Sequence, residues 1–178
     1  SDASGEVIIS SGTASETSGV LKLTTGSSSG AAGSIVVSTG VSDAGLGSDI
    51  LVEAGHSLLS DGGMVDVRGG ASDNGVGGAV NVISGTSAVS SGNLVVASSS
   101  SSNGNTGSVS VSSGIGYDAS GDLDLESGSV ESGNAGNIGI SSGSSLGGGS
   151  GGNVRIESAG ELLELVGGVD GTVSIQAG

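Results

Sequence analysis

Apolar positions along the chain recur in pairs spaced by two residues. The segment Gly107-Ser108-Val109-Ser110-Val111-Ser112-Ser113-Gly114 shows the unit most cleanly: glycine, any residue, aliphatic, any residue, aliphatic, two small or polar residues, glycine. The same unit returns at Val7/Ile9, Leu21/Leu23, Ile35/Val37, Ile50/Val52, Val65/Val67, Val80/Val82, Leu94/Val96, Val109/Val111, Leu123/Leu125, Ile138/Ile140, Val154/Ile156 and Val173/Ile175. The opening glycine, or Ser48 in its place, recurs about every 14 or 15 residues until the last two copies, which are spaced more widely. Spacing of two places both aliphatic side chains on one side of an extended segment, and Val and Ile dominate, as a strand prefers.

A unit of this length with two aliphatic side chains cannot fold alone, so neighbouring units are expected to share a core. The pattern predicts an all-β fold: a two-sided flattened β-solenoid (β-helix) of about twelve 14–15-residue coils, spanning 1–178 as a single continuous array and a segment of a longer one. Each coil would carry a second, shorter strand marked by the column Ser28, Ser42, Ser57, Ser72, Ser87, Ser101 and Ser145. Gly30, Gly45, Gly75, Gly104, Gly133 and Gly147 would supply positive-φ turns. The small residues after the aliphatic pairs, Ser11, Thr25, Thr39, Ser84, Ser98, Ser113, Ser127, Ser142 and Ser158, would form an inward ladder of hydroxyls.

Composition narrows this picture. With 39 glycines, one Tyr and no Phe, Trp, Pro or Cys in 178 residues, any core has to be thin and without aromatics. The aliphatic phase argues against a featureless Gly/Ser linker. Collagen is excluded because glycine does not fall at every third residue and proline is absent. No apolar run approaches the ~20 residues of a membrane helix. The formal net charge of −15, with only Lys22, Arg68 and Arg155 as basic residues, argues against nucleic acid and anionic membranes as partners. Without cysteine there is no disulfide or thiol chemistry. None of the Asn residues lies in an N-x-[ST] sequon.

Candidate chemistry is sparse. The single histidine, His56, precedes Ser57, but a Ser/His catalytic pair needs a third orienting group and an oxyanion site, and neither is marked. Asp122, Asp124 and Glu126 alternate along one segment, so on a strand their carboxylates share one side; with Asn137 they are the calcium candidate, weighed against a solvated acidic face. Glu53 and Arg68 occupy equivalent columns and are expected to pair. Ile8, Val36 and Leu51 lie between the two members of their aliphatic pairs, and Leu162, Leu163 and Leu165 lie in the apolar linker Glu161–Val166. These six form the candidate partner surface, with scattered exposed aliphatics as the alternative.

Given these twelve copies, the chain resembles Ser/Gly-rich β-solenoid repeat proteins of cell surfaces and extracellular fibres, including large adhesins and algal surface appendages. The resemblance implies a non-catalytic structural component of an extracellular filament, appendage or surface layer, self-associating end to end or laterally or joining other filament proteins. It implies no cofactor beyond possible calcium and no membrane insertion. The alternative is a binding module for ice or a repeating polysaccharide. Sparse Thr and a lone aromatic, Tyr117, weigh against that reading.

Overall fold

In the computed structural model, residues 4–160, 162–168 and 171–176 are described. Glu161, which opens the apolar linker, the first three residues of the lead-in and the closing Gly178 lie outside them. The described residues contain no helix and no strand; extended coil alternates with short bends. The chain groups into two units, Ser1–Leu94 and Val95–Gly178.

The expected all-β solenoid is not formed. In a solenoid each 14–15-residue coil would lie against the next, yet contacts between residues twelve or more apart are few. Among the described residues no side chain is buried, and only Ala54, Ser57 and Ser84 are half-buried. The chain exposes 17765 Å². A folded monomer of its 16.3 kDa would expose about 7,500 Å², and the extended chain about 23,600 Å². About a quarter of the extended-chain surface is therefore covered, where a folded domain of this size covers more than two thirds.

The physical reason lies in the unit itself. Strand propensity is largely the gain from packing against neighbours. Two aliphatics per unit, with no aromatic side chain to widen the contact, offer little to pack. Glycine-rich flanks raise the entropy lost on ordering.

Among the described residues, backbone–backbone hydrogen bonds are confined to the linkers. Within Ser1–Leu94, the Gly63 N–H donates to the Gly55 carbonyl at 2.9 Å, Gly78 to Gly70 at 2.8 Å, and Gly92 to Gly85 at 3.0 Å. Within Val95–Gly178, Gly152 donates to Gly143 at 2.9 Å, and a tighter turn joins Gly171 to Gly168 at 2.8 Å. The glycine closing one copy is thus bonded to the glycine opening the next, and the linker between them becomes a closed loop.

A side chain would be crowded at one side of some of these closures. A Cβ on Gly69 would fall on the Gly78 carbonyl oxygen, and one on Gly78 would stand 3.0 Å from Gly70 N. A Cβ on Gly19, Gly33, Gly92, Gly107, Gly136 or Gly152 would lie 3.4–3.9 Å from the side chain of Ser11, Thr25, Ser84, Ser98, Ser127 or Ser142 respectively. The expected inward hydroxyl ladder is therefore not stacked from coil to coil. Ser11, Thr25, Ser84, Ser98, Ser127 and Ser142 instead lie beside the next opening glycine, and all nine members but Ser84 are exposed.

The serine column also has a different role from the second strand expected of it. Each member is a turn acceptor. Ser28 accepts the Gly30 N–H at 3.1 Å, Ser42 the Gly45 N–H at 3.0 Å, and Ser57 the Ser60 N–H at 3.0 Å. Ser72 accepts from Gly75 at 2.9 Å, Ser87 from Val89 at 3.0 Å and Ser90 at 3.3 Å, Ser101 from Gly104 at 3.0 Å, and Ser145 from Gly149 at 3.0 Å. A serine hydroxyl beside its own backbone offers a local acceptor that competes with strand pairing. Of the expected positive-φ glycines only Gly133, at 102°, has that conformation; the other is Gly148, at 84°, next to the expected Gly147. Gly30, Gly45, Gly75 and Gly104 instead serve as N–H donors to the serines.

Candidate functional site

The repeated aliphatic pairs are the most regular chemical feature the structure presents. From Ile35 onward to Val173 the first member of each pair is roughly half exposed, as in Ile35 at 50% and Ile138 at 49%. The second member is more open: Val37 is 70% and Ile140 64% exposed. The first aliphatic stands two residues after the opening glycine and the second four, and the difference holds whether or not the preceding linker is closed.

Ile8, Val36 and Leu51, between the members of their pairs, are 73–83% exposed. Leu162, Leu163 and Leu165 of the last linker are 52–70% exposed. These six residues are open to solvent; Ile8, Val36 and Leu51 lie in Ser1–Leu94, and Leu162, Leu163 and Leu165 in Val95–Gly178.

Asp122, Asp124 and Glu126 are exposed. Among the described residues no group of three or more His, Cys, Asp or Glu side chains is arranged to hold a metal ion. Arg68 does not pair with Glu53. Its Nε donates to Asp66 Oδ1 at 2.9 Å, and a second guanidinium nitrogen reaches Oδ2 at 2.5 Å. Arg155 likewise pairs with Glu157. In both, residues two apart on an extended segment lie on one side, so a neighbour in sequence is within reach without any coil beside it. Both arginines are nearly four-fifths exposed, so each pair contributes only ~0–1 kcal/mol.

His56 is exposed and lies beside a serine whose hydroxyl is engaged with the Ser60 N–H. Among the described residues no cavity forms, and no helix is long and apolar enough to cross a membrane.

Two features escaped the reading of sequence alone. The turn role of the serine column was signalled by a glycine or serine two to four residues after most of its members. The Asp66–Arg68 and Arg155–Glu157 pairs were signalled by opposite charges at spacing two. Compared with known proteins, the chain matches no family model, no curated protein and no solved structure.

Proposed function

We propose that this chain is a non-catalytic structural component of an extracellular filament, appendage or surface layer, and that it acts by associating with other chains. One observation carries the reading: an aliphatic pair repeated twelve times is left largely exposed throughout the described residues. Soluble monomers rarely expose more than a few hundred Å² of contiguous apolar surface, and a periodic apolar array in water is stable only when something covers it. The formal charge of −15 supports the same reading, because it keeps the unassembled chain in solution. Where loops are closed by glycine, as between Gly55 and Gly63, Gly70 and Gly78, Gly85 and Gly92, and Gly143 and Gly152, the linker is a defined spacer without a folded core.

The test is electron microscopy of native material, with the chain located by a specific antibody and imaged with and without calcium chelation. Label running along continuous filaments or a layer is the expected result. Label confined to dispersed, unassembled chains would overturn the proposal. Fraying on chelation would assign a structural role to calcium, with Asp122, Asp124 and Glu126 as the first residues to substitute.

A further inference from the structure

We infer that the aliphatic segments dock on those of a second copy of this chain, segment on segment at their common period, through main-chain hydrogen bonds that the isolated chain leaves unmade. The inference rests on the assembly reading above and names its partner. Three observations carry it.

The first is the backbone. Among the described residues every backbone–backbone hydrogen bond lies in a glycine-closed linker or turn, and segments such as Val109–Val111 and Ile138–Ile140 make none. Peptide groups of an extended segment that lack a partner are a template for another chain.

The second is area. A Val, Leu or Ile side chain carries ~60–120 Å² of apolar surface, so 24 of them on each of two copies, about 60% exposed, offer roughly 1,800–3,600 Å². A stable interface needs about 1,200–2,000 Å². Partial engagement of the array is therefore enough.

The third is the period. A partner has to present apolar segments at the same 14–15-residue spacing over the first ten copies and at the wider spacing of the last two. A partner whose period differed by one residue would drift by about nine residues over the first ten copies, more than half a repeat, and on the way would bring aliphatics opposite Ser and Gly. A second copy matches by construction. The charge of −15 on each copy opposes the contact, and salt relieves that opposition.

The experiment uses the purified full chain. Sedimentation velocity and far-UV circular dichroism are followed across concentration in about 0.15 M NaCl. The expected result is a dilute monomer without strand signal and an associated form in which strand signal appears, with a reflection at about 4.7–4.8 Å from aligned material. A variant carrying V109S, V111S, I138S and I140S should need about tenfold more protein or greater to associate. No core is lost in this variant, because none of these side chains is buried.

Register is tested by a half-period insertion between Gly104 and Asn105. The shifted chain should associate with itself as the unshifted one does, and mixed association should be weaker than either. Strand signal in the dilute monomer, or association indifferent to both variants, would overturn the inference. A chain found in native filaments yet monomeric in isolation up to its solubility limit would overturn the docking and leave the structural role standing. In-register self-association of a chain that native assemblies lack would do the reverse.

Discussion

Replacing Gly69 by alanine should open the loop between Gly70 and Gly78, whereas the same replacement at Gly70 should not. The two glycines are adjacent and differ in what a side chain would meet. A Cβ on Gly69 falls on the Gly78 carbonyl oxygen and stands 2.9 Å from its carbon, well inside the ~3.5–4.0 Å of unbonded carbons. A Cβ on Gly70 meets nothing within 4 Å. Relieving the first clash moves Gly78 away from Gly70, and with it the 2.8 Å bond from the Gly78 N–H to the Gly70 carbonyl. A hydrogen bond of this kind contributes about 0.5–1.5 kcal/mol net, which is about a 2- to 13-fold change in the closed fraction.

Gly70→Ala should leave the loop unchanged or slightly more closed, since alanine narrows the open ensemble. The assay is amide exchange by NMR, read at Gly78, with Gly63 and its 2.9 Å bond to Gly55 as the control in the same molecule. Faster exchange at Gly78 in Gly69→Ala alone is the expected pattern. Equal exchange at Gly78 in the two variants would refute the loop-closure argument.

The serine acceptors give a parallel case: Ser72→Ala should speed exchange at Gly75 about 2- to 5-fold by removing its acceptor, and Ser72→Thr should restore it, as amide NMR would show. Arg68→Gln should change neither loop closure nor association measurably, because the exposed pair with Asp66 is worth ~0–1 kcal/mol; a larger effect would assign Arg68 a contact beyond Asp66. Light scattering across pH should show strongest association near the isoelectric point of about 4.1, where the repulsion between copies vanishes. At neutral pH, raising NaCl from 0.01 to 0.15 M shortens the screening length from about 30 to 8 Å and should promote association.

Much of the organisation was legible in the residues. The period, the aliphatic pairs and the location of every linker follow from the recurrence of Gly-x-aliphatic-x-aliphatic, and the closed loops fall between those pairs. The serine column was visible as a column, but its role was not. A small polar residue at fixed phase fits an inward strand position as well as a turn acceptor, and only the bonds to Gly30, Gly45, Gly75 and Gly104 decide between them.

The solenoid was the step that failed. Spacing of two at Val109/Val111 reports which side of an extended segment is apolar, not whether another segment of the same chain comes to cover it. The expected Glu53–Arg68 pair presupposed adjacent coils, and Asp66, two residues away, was within reach without them. The six apolar candidates from Ile8 to Leu165 were legible as exposed aliphatics, yet nothing in their spacing indicated whether they would gather.

The glycine-closed loops carry a mechanical consequence. Between Gly70 and Gly78 a single bond shortcuts about eight residues, which drawn out would span about 26–29 Å. With the bond made, its ends are separated by roughly 5.5 Å. Tension on a chain anchored in an assembly would break these bonds one at a time, each releasing about 20 Å of slack while the segments on either side keep their grip. In such an assembly the closed linkers would serve as reserves of length that reclose when the load is removed.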